Sequence, residues 1–147
     1  MSIAEERKAL IHRMYDETNK GNIGVLNEIL ADDFVSYGGA GFQDLRGPEA
    51  FINLYRTFVA AFPDLHFDVQ QVVVGDDMAA VRGIQTGTHE GNFLGMVPPT
   101  GKKVMWTGTA IFRFNEQGKI VERWQDLDNL SLFQQLGVIP TFGSAGG

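Results

Sequence analysis

The sequence predicts an α+β domain in which helices pack on one face of a curved antiparallel sheet. Three observations carry this. Up to Pro63 the apolar side chains recur at helical spacing, and beyond it they alternate with a period of two. The strand-like runs of the second half are divided by the short turns GDD and NEQG, and neighbours joined that closely pair antiparallel. With 147 residues, 44% apolar and 20% charged, the composition is that of an ordinary globular chain, sized for one domain. Residues 1–140 read as that domain and 141–147 as a frayed tail.

The first helix covers residues 5–18, where Leu10, Ile11, Met14 and Tyr15 form an apolar stripe opposite charged residues. NKGN breaks it. VLNEILADDF predicts a second short helix ending at Phe34, followed by a short strand around residues 34–37. The glycine-rich YGGAGF then lacks the lysine and the strand-loop-helix order of a phosphate loop. In the third helix Pro48 sits in the first turn, where its missing N–H costs nothing, and Pro63 is the stop. Phe51, Leu54, Tyr55, Phe58, Val59 and Phe62 give this helix one broad apolar face.

HFDVQQVVV, MAAVRGIQTGTH, KVMWTGTAIFRF and KIVERWQDL read as a four-stranded meander, with EGNFLGMVPPTGK as a longer structured loop. A last helix, residues 129–136, ends at Gly137. Helices that do not fill the concavity of such a sheet leave a pocket with aromatic walls. Tyr55 and Phe58 on the third helix and Trp106 and Phe112 on one face of the third long strand are candidates to line it.

Charge and residue usage exclude several classes. The net charge is −6 and the twelve Lys and Arg are scattered, so nucleic acid and anionic membrane are not expected partners. There is no cysteine, and three dispersed histidines make no metal site; His12 and His66 read as surface or sheet residues. The polar start lacks the apolar core of a secretion signal, and a cytoplasmic location is expected.

The stretch RWQDLDNLSLFQQLG, residues 123–137, concentrates the candidate chemistry. Alternation puts Glu122, Trp124, Asp126 and, if the strand continues, Asp128 on one face, with Val121, Arg123, Gln125 and Leu127 on the other. A carboxylate beside Trp124 in an apolar cavity has its pKa raised by desolvation toward the range of a general base. Two geometries stay open: Asp126 in the cavity with Asp128 as the N-cap of the last helix, or Asp128 at the cavity floor with Asp126 on its rim. His89, at a strand end between Gly87 and Gly91, is a donor to a substrate carbonyl or an anchor for the PPTG loop. Tyr15 and Tyr37 point hydroxyls into the cavity or serve as core aromatics.

Five stretches, ADDFV, FPDLHFDV, GTHEGNFLGMVPPTGK, GTAIFRFNEQGKIVERW and DNLSLFQQLGVIP, occur in that order through nearly the whole chain. In combination they resemble the SnoaL-like polyketide cyclases, part of the cone-shaped, cystatin-like superfamily that includes nuclear transport factor two and ketosteroid isomerase. The resemblance implies N-terminal helices over the concave face of the sheet, and a homodimer or higher homo-oligomer formed through that sheet. It also implies cofactor-free, metal-free aldol ring closure, or a related isomerisation, of a hydrophobic aromatic carbonyl compound. An aspartate would act as acid and base, and family spacing points to Asp128. Ala110 departs from the pattern, since a polar cavity residue is expected there. A non-catalytic binder of hydrophobic ligands, and a hydratase or epoxide-opening enzyme, are the alternatives on the same fold.

Overall fold

The computed structural model describes residues 1–38 and 43–141. Most of YGGAGF and nearly all of the predicted tail therefore lie outside the described residues. Helix α1 spans Ile3–Asn19, and the Ser2 hydroxyl caps it by accepting the Glu5 N–H at 3.1 Å. Helix α2, Val25–Ile29, leads directly into strand β1, Leu30–Tyr37. After the two-residue strand β2, Leu45–Arg46, helix α3 covers Pro48–Ala61 with Pro48 in its first turn. Strands β3, His66–Val74, β4, Met78–Thr88, β5, Lys103–Phe114, and β6, Ile120–Leu127, follow, and helix α4, Asn129–Gln135, comes last.

The six strands form one sheet in the order β2-β1-β6-β5-β4-β3. The meander from β3 to β6 is antiparallel as expected. The sheet nevertheless extends past it, because β1 pairs parallel with β6 and carries β2 as its antiparallel edge. The second helix accordingly ends at Ile29 rather than Phe34. ADDF becomes extended because β1 pairs with β6 on both sides of it, Leu30 opposite Ile120 and residues 35–37 opposite 122–124, a pairing from far along the chain that local propensity cannot register.

Register assigns the two faces of the sheet. Residues opposite each other in an antiparallel ladder point the same way, and β5 with β6 pairs Phe112 with Arg123, Ala110 with Gln125 and Gly108 with Leu127. Phe112 and Ala110 are buried, so Arg123, Gln125 and Leu127 lie on the concave face beneath the helices. The intervening pairs, Ile111 with Trp124, Thr109 with Asp126 and Arg113 with Glu122, lie on the convex face.

Two apolar clusters hold the helices down. One joins Ile11 and Met14 of α1, Leu26 of α2 and Ile52 of α3 to Phe34, Val81, Phe112 and Ile120 of the sheet. The other joins Ala61, Phe62, Phe93, Val97, Trp106 and Leu132 around the end of α3 and the base of α4. Between them the end of α1 is stitched to the sheet edge. The Asn19 side chain donates to the Phe67 carbonyl and accepts the Phe67 N–H, both at 2.9 Å.

Candidate active site

A pocket opens between α1, α3 and the concave face, with a cavity volume of about 80 Å³. Its walls are Met14 and Tyr15 from α1, Phe51, Leu54, Tyr55 and Phe58 from α3, and Phe67, Phe112 and Leu127 from the sheet. Tyr15 stacks on Phe67 with ring centroids 4.4 Å apart. Gly83, two residues before Phe67's ladder partner Gln85, makes room for that ring, since a β-carbon there would run into Phe67. The Tyr55 hydroxyl donates to the Thr18 carbonyl at 3.3 Å, tying α3 to the end of α1.

The polar groups of the pocket converge from the sheet and α1: Arg123, Gln125, Gln85, Thr18 and Tyr15. Arg123 is only 8% exposed. Its Nη1 donates to Ser36 Oγ on β1 at 2.9 Å, its Nη2 donates to Gln125 Oε1, and its guanidinium lies 4.6 Å from the Phe51 ring centre. Burial lowers its pKa well below the ordinary guanidinium value, to about 10, while Tyr15 pulls it upward. Burial raises the Tyr15 phenol to about 12, and the Arg123 charge opposes that rise. At neutral pH the site therefore presents a charged guanidinium and a protonated phenol. Among the described residues no carboxylate lines the pocket.

Of the residues singled out in the sequence, Tyr15, Tyr55, Phe58 and Phe112 meet in this pocket. The others lie elsewhere. Asp126, expected in the cavity, is exposed on the convex face because its ladder partner is Thr109. Asp128 is exposed as well, not at a cavity floor, and its Oδ1 accepts the Ser131 N–H at 3.0 Å as the N-cap of α4. Trp124 and Tyr37 stack on each other on the convex face, 5.2 Å between centroids. There the Tyr37 hydroxyl donates to Glu122 at 2.6 Å, and Arg113 bridges Glu122 and Asp77.

His89 and Trp106 are buried in the second cluster, away from the pocket lining, on either side of Phe62. His89 pins the PPTG loop: its Nδ1 accepts the Thr100 N–H at 3.2 Å, and its carbonyl accepts the Gly101 N–H at 2.8 Å. Arg123, Gln125, Gln85 and Phe51 were missed as site residues. The signal was present in the pairing of Phe112 with Arg123, which requires the β5–β6 register as well as the period of each strand.

This arrangement, a cationic and phenolic wall inside an aromatic slot, sits on a fold with clear relatives. The SnoaL-like polyketide cyclase family profile matches residues 9–136, and the chain belongs to that family. Among solved structures it is similar to AclR from Streptomyces galilaeus, provisionally assigned as a hydroxylase, at 30% identity and a TM-score of 0.85, over 97% of this chain and 88% of that one. It is also similar to IdmH from Streptomyces antibioticus, provisionally a polyketide cyclase, at 34% identity and a TM-score of 0.77, over 90% of this chain and 99% of that one. A SnoaL-like protein from Jannaschia sp. CCS1 shares 26% identity at a TM-score of 0.84, covering 95% and 97% of the two chains. No curated protein matches at significant similarity.

Proposed function

We propose that this protein is a cofactor-independent cyclase or isomerase that acts on a hydrophobic, conjugated carbonyl compound held in the pocket between α1, α3 and the sheet. The observation that carries this reading is that Arg123 and Tyr15 line the same aromatic slot and interact electrostatically there. A guanidinium in a dry site stabilises the negative charge that develops on an enolate oxygen, and its fixed position requires no reorganisation during the reaction. The acidic proton between the two carbonyls passes to water at the pocket mouth, and the resulting enolate carbon attacks a second carbonyl carbon of the same chain, forming the ring bond and leaving an alkoxide. Tyr15, kept protonated by burial, gives its proton to that alkoxide and recovers one from water at the pocket mouth. Phe51, Phe58 and Phe112 hold the conjugated body flat, so much of the acceleration comes from orientation.

The test is product analysis with a linear aryl 1,3-diketone that also carries a methyl ketone. Wild-type protein forms the cyclic aldol, and Tyr15→Phe loses roughly a hundredfold in turnover, the scale of a general acid. Unchanged turnover in Tyr15→Phe would remove it from the mechanism.

The lack of a pocket carboxylate among the described residues favours one second reading, a binding protein without chemistry. Thermal stabilisation by the diketone with no product formed would select it. On either reading a second copy of the chain covers the convex face, where Val73, Met105 and Ile111 are exposed. Light scattering at the monomer mass would contradict that assembly.

A further inference from the structure

Arg123 is a buried cation, and among the described residues no anion lies beside it. Its described partners are a hydroxyl, an amide oxygen and a ring face: Ser36 from β1, Gln125 from β6 and Phe51 from α3. The acids nearest in sequence are on the other side of the sheet, where Glu122 is engaged by Tyr37 and Arg113 and Asp126 is exposed. Among the described residues no ion pair reaches Arg123, whereas exposed Arg13 and half-exposed Arg113 each have a carboxylate within 3 Å. Desolvating an unpaired charge is costly, and a protein that keeps one against an open pocket holds a site for a counter-charge from outside. Ser36 and Gln125 together take two of the five guanidinium N–H groups, which leaves donors for a ligand.

The guanidinium is a flat fork that matches two oxygens sharing one negative charge. Around it the pocket is aromatic and apolar, which suits a planar hydrophobic body and excludes a heavily hydrated ion such as phosphate.

We infer that the pocket selects planar aromatic compounds bearing a delocalised oxyanion, a carboxylate or the ionised enol of a 1,3-dicarbonyl, and that Arg123 is the residue that selects them. This rests on the proposed function in taking the pocket as the substrate site, and it deepens it. A 1,3-dicarbonyl that binds already ionised needs no carboxylate base in the pocket. Its proton has gone to solvent, the enolate carbon forms the new bond, and Tyr15 protonates the alkoxide that results.

Calorimetric titration between pH 6 and 9 with 2-naphthoate, 2-acetylnaphthalene and 1-(2-naphthyl)butane-1,3-dione tests this. Of the pocket's other titratable groups, Tyr15 from α1 and Tyr55 from α3 both have pKa values raised above 10, so the ligand dominates any pH effect in that range. The expected result is that wild-type protein binds 2-naphthoate at least tenfold more tightly than the neutral ketone. The dione gains affinity as pH rises through its own ionisation. Arg123→Met lowers naphthoate affinity about a hundredfold and leaves ketone affinity nearly unchanged, and Arg123→Lys retains part of the preference. Should Arg123→Met fail to fold, the wild-type comparison and Arg123→Lys still decide. Strong naphthoate binding with a pH-independent dione assigns the carboxylate as the ligand group, and the reverse assigns the enolate; both support the inference. Neutral ketone bound as tightly as, or more tightly than, both naphthoate and the ionised dione, and abolished by Phe58→Ala, overturns the anion preference while keeping the pocket as the substrate site. Binding that ignores Phe58→Ala, or no binding of any of the three, overturns both.

Discussion

Phe112 and Arg123 stand opposite each other in the β5–β6 ladder, so a core aromatic and a guanidinium share the concave face of the sheet. That pairing puts a positive charge where the local sequence seemed to offer a negative one. It also makes the charge a burden on the fold that substitution can reveal.

Replacing the guanidinium with an apolar chain of similar reach should stabilise the protein. The fall of the Arg123 pKa from the ordinary guanidinium value to about 10 corresponds to roughly 3 kcal/mol of destabilisation of the charged, folded state at neutral pH. Loss of the bonds to Ser36 and Gln125 offsets part of this. Arg123→Met is expected to gain about 1–2 kcal/mol in urea unfolding at pH 7 while losing its ligand preference. A loss of stability would mean that the guanidinium's hydrogen bonds outweigh its burial.

Alkaline unfolding separates Arg123 from Tyr15. Between about pH 10 and 12.5 the unfolded chain keeps the Arg123 proton that the folded chain has released, so this residue's contribution to stability rises with pH. Tyr15 works the other way: its phenol ionises near 10 when unfolded and near 12 when folded, so its contribution falls across that window. Relative to wild type, Tyr15→Phe should gain stability from pH 9 to pH 11, and Arg123→Met should lose it. Parallel curves for the three proteins would contradict the pocket's electrostatics.

The aspartates of the last strand should behave as surface and cap residues. Asp128→Ala is expected to cost about 1 kcal/mol through loss of the bond to the Ser131 N–H. Asp126→Asn should change stability by less than about 0.5 kcal/mol. Neither should alter naphthoate affinity measured by calorimetry, and a tenfold loss in either variant would return a carboxylate to the site.

Most elements were legible in the sequence because their signals are local. The stripe of α1, the proline at the start of α3 and the GDD and NEQG turns each specify structure within a few residues. The parallel β1–β6 pairing was not, since residues 30–37 carry no sign of a partner so far along the chain. The pocket illustrates the same division. Alternation correctly separates residues 122, 124 and 126 from 123, 125 and 127, but a period of two is symmetric and does not say which set is inside. Trp124 suggested an interior face, yet it stacks with Tyr37 on the outside, while the long Arg123 chain reaches inward beneath Phe51.

Gly83 should be intolerant of even one added methyl group. Gly83→Ala drives a β-carbon into the Phe67 ring and the Asp68 carbonyl, and the ring it displaces is the one on which Tyr15 stacks. The expected cost is about 1–3 kcal/mol by urea unfolding, with weakened ligand binding as the Tyr15 wall shifts. Wild-type stability and affinity in Gly83→Ala would show that the wall is not held in this way.

The most direct test of the account is a crystal structure of the protein with 2-naphthoate. The naphthalene ring is expected between Phe51, Phe58 and Phe112, with its carboxylate oxygens within hydrogen-bond distance of the Arg123 guanidinium. A naphthoate on the convex face beside Trp124, or one in the pocket with its carboxylate turned to the mouth and away from Arg123, would contradict it.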